Sequence, residues 1–238
     1  MSQPLRRFFP FFGLVGSALV CIVILIVGLT YYGQAAERFS PFNHFISELG
    51  HWGVSRNAWL FDAALIVSGI LFVPFCIGLG IAVRGWWGYL GLGAGVLAGI
   101  FLAGVGVFPM NGLGTHIVMA TWFFRFGLAT TLFFGIAILR QRGRTDVPKS
   151  GSILSLFACA TYALFLVLAS IPGVAGGNPL DPATLAHRPG FWLLALLEWG
   201  VFLGTVVWFL GLSLLLTVRG SRGSETLPGR ATGPGRSR

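Results

Sequence analysis

Charge is scarce in this chain. Only 10% of its 238 residues are Asp, Glu, Lys or Arg, and the acidic ones number seven. A soluble domain keeps about a quarter of its residues charged to hold its surface in water. That class is excluded, and lipid is left as the solvent. Cysteine is scarce too: Cys21, Cys76 and Cys159 all lie inside apolar runs. This excludes a disulfide framework and makes them packing residues. Familiar chemical signatures are missing as well: there is no nucleophile elbow, no phosphate-binding loop and no nucleic-acid motif. No inverted repeat is evident, which argues against the classical transporter folds.

What the chain has is apolar length. Hydrophobic residues make up 55% of it, and Phe and Gly are both abundant. Phe contacts acyl chains and Gly lets helices approach closely. Apolar runs cover about 11–32, 58–83, 86–108, 117–139, 152–172 and 191–218. Each is long enough to cross about 30 Å of hydrocarbon at 1.5 Å per residue. The expected fold is all-α, a bundle of six transmembrane helices over 1–218. The first run follows Arg6 and Arg7 and ends near a small-residue site at Gly33, yet it is too long for a signal peptide and reads as a retained helix.

The cations orient the bundle. Arg6, Arg7, Arg84, Arg140, Arg142, Arg144, Lys149 and the arginines after 218 all fall on one side of a six-span chain. The other side holds Arg38, Arg56 and Arg188 among nearby acids. The positive-inside rule then puts both termini in the cytoplasm, in a multi-pass protein of the cell membrane. Residues 219–238, rich in Gly, Ser, Pro and Arg, read as a disordered basic tail.

Within the spans, Gly91, Gly95, Gly99 and Ala103 form a small-residue stripe suited to tight helix packing. The same face could also receive a second copy or a partner membrane protein. Pro74 interrupts the second span.

The polar residues gather at one mouth of the bundle. His44, His51, His116 and His187 all belong to the outer side. Below them lie Asp62 in the second span, Glu198 in the sixth and Arg125 near mid-membrane in the fourth. A charge there costs about 3 kcal/mol on insertion scales, so Arg125 is expected to face inward and pair with Glu198, Asp62 or both. His116 and Arg125 are nine positions apart and point to opposite faces of a regular helix. Both can line one cavity only if His116 precedes the regular helix. Ser47, Glu48, Asp62, His116, Arg125 and Glu198 are the candidate ligand-binding residues.

The stretch "HFISELGH" concentrates the outer chemistry. His44, Glu48 and His51 would share one face of an α-helix, and two imidazoles with a carboxylate are ligand types of catalytic zinc. The spacing matches no established helical zinc motif, and Gly50 interrupts the face. A structural corner at the membrane surface is the favoured reading, with a lipid-headgroup contact next. Glu48 as base with His51 or His116 as acid is the catalytic alternative. Haem is disfavoured because no histidine lies clearly inside a span, and no cofactor is expected.

"ISELG" (46–50), Asn57, Phe61-Asp62, Gly69, "GVFP" (106–109) and His116 occur in an order that resembles the bacterial and archaeal membrane family called domain of unknown function 998. The resemblance covers about 10–218 and implies roughly six helices, with no established activity to carry over. That family is distantly similar to the Frag1/DRAM/Sfk1 group, which is linked to lipid organisation and lipid-anchor remodelling. Where the family often has Asn after the Phe of the second span, this chain has Asp62. Three functions follow as expectations. The first is binding or moving a membrane lipid or small amphiphile in an outward-facing polar cavity. The others are lipid chemistry at the outer face and a structural or regulatory role.

Overall fold

The computed structural model describes residues 3–33, 36–141, 147–172 and 187–225. The segment containing Asp181 and the end of the tail, 226–238, lie outside the described residues. Among those described there are six long helices and no strand: α1 (Gln3–Leu29), α2 (Ala58–Val83), α3 (Gly85–Val107), α4 (Leu113–Arg140), α5 (Gly151–Ala169) and α6 (Leu193–Glu225). Each contains a segment long and apolar enough to cross a membrane. The expected spans coincide with these helices to within a few residues at most ends. The larger differences are at α1, which begins at Gln3, and at α6, which runs on to Glu225.

Apolar side chains cover the outside of the bundle. Ile22, Leu25, Ile70, Ile100, Ile153 and Leu156 are all exposed, as expected where lipid replaces water. Each helix packs on its neighbours in the chain, and α6 closes the ring on α1. The hairpin between α2 and α3 is very tight. It turns through Arg84 and Gly85, and Gly85 has a positive φ of 79°.

The glycine stripe of α3 is spent inside the ring. A Cβ on Gly91 would meet Phe134 of α4, and one on Gly95 would meet Cys76 of α2. At Gly99 it would come within 2.8 Å of the Gly69 carbonyl oxygen. The two backbones touch there, which only a residue without a Cβ permits. The tight helix packing expected of this stripe is thus made with α2 and α4 of the same chain.

Three buried clusters stack through the ring. One, around Phe75, Leu79, Phe134 and Trp208, lies toward the end where the chain begins. A second, around Val27, Tyr31, Leu49 and Phe61, lies beneath the opposite connections. A third joins α4, α5 and α6 through Phe124, Tyr162 and Val201. A cavity opens where they meet.

Candidate functional site

The SELG stretch folds as a short 3-10 turn, Ile46–Gly50, laid across one end of the ring. Its leading N–H groups have no partners within the turn itself, so they must find acceptors elsewhere. Two carboxylates supply them. Glu48 Oε1 accepts the Phe45 N–H at 2.8 Å. Glu198, reaching up from α6, accepts the Ile46 N–H at 2.8 Å and is also bonded by Ser47.

Glu48 has a second duty. Arg188, just ahead of α6, meets it with both guanidinium nitrogens, at 2.9 and 2.6 Å. The same guanidinium donates to the Asn43 carbonyl at 2.7 Å. Both side chains are well buried, with 13% of Arg188 and 7% of Glu48 exposed. Burial works against the Arg188 charge, but the hydrogen bonds and charge of Glu48 outweigh it and raise its pKa further. Arg188 was not among the residues singled out from sequence. The available signal was Glu48 itself, a carboxylate in an apolar stretch that needs a cation from a different connecting segment.

Glycines let the turn settle. A Cβ on Gly50 would strike Asp62 Oδ1 and come within 2.9 Å of the Phe61 ring. A Cβ on Gly106 would strike the Asp62 carbonyl and come within 2.9 Å of Ile66. The glycines of ISELG and GVFP thus close on the same turn of α2 from two sides. Asp62 Oδ2 accepts the Trp52 indole N–H at 2.6 Å. Asn111 then clasps the Trp52 backbone, accepting its N–H and donating to its carbonyl, both at 2.9 Å. Asn57 donates to Thr30 at the end of α1 at 2.9 Å.

His44 is buried between Tyr31 and Phe39. Asn43 donates through its amide nitrogen to Pro189 O, and its Oδ1 lies 2.8 Å from His44 Nδ1, which the Ser40 N–H also approaches at 3.3 Å. Nε2 faces Glu37 at 3.8 Å. Burial lowers the His44 pKa, partly offset by the nearby carboxylates of Glu48 and Glu37. Burial raises the Tyr31 phenol, and the Glu48 charge adds to the shift.

His44, Glu48 and His51 do not share a face. The turn is 3-10, with three residues per turn, and it covers only Ile46–Gly50; His44 precedes it and His51 ends it. Among the described residues, no three His, Cys, Asp or Glu side chains gather as a metal set.

Arg125 is also elsewhere. The regular helix α4 begins at Leu113, so His116 is already inside it and the nine-residue phase applies. His116 points inward, with 6% exposed, and Arg125 points out and lies over the Trp122 ring at 5.2 Å. The expected pairing with Glu198 or Asp62 does not form.

What the ring does enclose is a cavity of about 120 Å³, open on one side. One end carries Ser47, His116 and Glu198; the rest is mainly apolar, with Phe12, Val20, Leu65, Phe72, Phe124 and Phe209 along it. Its wall on α1 runs from Phe12 to Ile24 and on α6 from Glu198 to Phe209. At 1.5 Å per residue that is about 17 Å. His116 Nδ1 donates to the Phe108 carbonyl at 2.8 Å, so Nε2 is the nitrogen left for the cavity. Of the six residues expected to bind a ligand, Ser47, His116 and Glu198 line this space. Glu48 and Asp62 brace the turn above it, and Arg125 faces away.

Residues 14–215 match the family described as protein of unknown function DUF998. The chain belongs to that family. The ISELG and GVFP glycines, Asn57 and His116 of this DUF998 protein are thereby given physical roles: close approach, a clasp to α1, and a cavity wall. Comparison with curated proteins and with solved structures gives no match.

Proposed function

We propose that this multi-pass membrane protein binds a lipid or small amphiphile in the central cavity. One observation carries the reading. The cavity is apolar along most of a depth of about 17 Å, close to half the hydrocarbon thickness; its ionisable groups, His116 and Glu198, sit at one end, and the Ser68 and Thr205 hydroxyls farther along donate to backbone carbonyls. That is the polarity of an amphiphile with its tail inserted. Ligand sites usually pair apolar walls with a few convergent polar groups. The positive-inside rule assigns the polar end to the outer side, so the ligand enters from the outer leaflet. Glu48 is a poor candidate for a base, since Arg188 and a backbone N–H engage its oxygens.

Native mass spectrometry of the protein in a non-ionic detergent tests this. A bound amphiphile is expected on the wild type. It should be absent from an Ala120→Phe variant, whose ring would occupy the cavity beside Phe123 and Phe124. No adduct on the wild type, after supplying membrane lipid extract, sinks the reading.

A further inference from the structure

The cavity also has a sign. Its lining includes Glu198 and no Lys or Arg. The two cations that could have entered it are engaged elsewhere. Arg188 is held by Glu48, and Arg125 lies over Trp122 on the opposite face of α4. An anionic head placed here would meet the Glu198 carboxyl group and no counter-charge. Burying such a charge unpaired is strongly unfavourable.

The polar end is short of donors as well. Glu198 is more than nine-tenths buried. A carboxylate offers about four lone-pair sites, and Ile46 and Ser47 fill up to three of them. His116 uses Nδ1 as donor to Phe108, so in the neutral ring Nε2 is an acceptor. Two acceptors on different helices thus face one apolar shaft. Their complement is a head that donates at least two hydrogen bonds.

We infer that the ligand is an amphiphile with a donor-rich, non-anionic head, an alkylammonium or a glyceryl-type diol, with its hydrocarbon tail between α1, α2 and α6. This rests on the cavity reading above and narrows it. The tail inserts toward Phe12 and Phe209, and the head lies between Glu198 and His116.

The test uses probes with one shared tail: dodecylamine, monododecanoylglycerol and dodecanoate. Affinities for the full-length protein in a non-ionic detergent are compared at neutral pH. The amine, the monoglyceride or both should bind at least tenfold tighter than dodecanoate. Whichever binds identifies the head. A Glu198→Gln variant that retains the wild-type melting profile should weaken the amine about tenfold and the monoglyceride less. Dodecanoate binding as tightly as the better of the other two overturns the proposed head chemistry while the cavity reading stands. Failure of all three probes to bind overturns the cavity reading and this inference with it. The wild-type series decides the matter even if the Glu198 variant does not fold.

Discussion

Arg188 and Glu48 meet through two parallel hydrogen bonds across 140 residues of chain. The pair ties the segment ahead of α6 to the turn that roofs the cavity. A planar guanidinium suits this bidentate geometry, whereas an ammonium offers one point of contact. Breaking one side of a buried pair costs about 3–5 kcal/mol, because the remaining charge is stranded. Arg188→Ala and Glu48→Gln should each lower the thermal midpoint in detergent. Arg188→Lys should recover little of the loss. The Glu48→Gln/Arg188→Met double variant should lose clearly less than the two single losses combined. Additive losses would mean that the pair is not coupled.

His44 makes stability depend on pH. Its folded pKa is lowered by burial, while in the unfolded chain it takes the ordinary value near 6.5. Below that value the unfolded chain binds more protons than the folded one, so stability falls as pH drops. Tyr31, Glu37, Glu48 and Arg188 face the ring, and the carboxylates only soften the effect. Between pH 7.5 and pH 5.5 the wild-type melting midpoint should lose ground against that of a His44→Phe variant. An unchanged slope would put the sensitivity elsewhere.

Gly50 and Gly106 both press on Asp62, but against different atoms. At Gly50 the obstacles are side chains, including Asp62 Oδ1; at Gly106 they include the Asp62 backbone oxygen. Overpacking of this kind costs about 1–3 kcal/mol. Gly50→Ala and Gly106→Ala should both destabilise. In an Asp62→Ala background the further cost of Gly50→Ala should shrink, while that of Gly106→Ala should remain. Equal costs in both backgrounds would contradict this geometry.

Arg125 should matter little to binding. It is exposed on α4 and its contact is the Trp122 ring. Arg125→Leu should leave the affinity for any cavity ligand within about twofold, since the substitution removes no cavity contact. It should leave the melting midpoint unchanged or higher, because a charge is removed from the apolar zone. A large loss of affinity would return Arg125 to the site.

The six helices were legible because membrane length is a one-dimensional property. Hydropathy adds along the chain, and an uncharged apolar run of about twenty residues matches the bilayer core and outruns a typical buried strand or core helix. Azimuth was harder. The phase between His116 and Arg125 already gave opposite faces, and only the assumption of a late helix start brought them together. The partner of Glu48 was hidden for a different reason. Nothing local selects Arg188 from the other cations of the connecting segments; ring closure does, by bringing the start of α6 over the turn. Glu198 was expected inside the site. Its bonds to the backbone of the turn follow from that turn being too short to satisfy its own N–H groups.

The ring closes with its last helix, and that sets an order in time. Chains emerge and fold from the N-terminus onward. Until α6 arrives, Ile46 and Ser47 lack their carboxylate, Glu48 lacks its cation, and the space between α1 and α4 has no far wall. The cavity is therefore the last part of the six-helix ring to form. A five-span intermediate would present the membrane with an open trough lined by Phe12, Val20 and Phe124, and insertion of α6 converts that trough into an enclosed chamber.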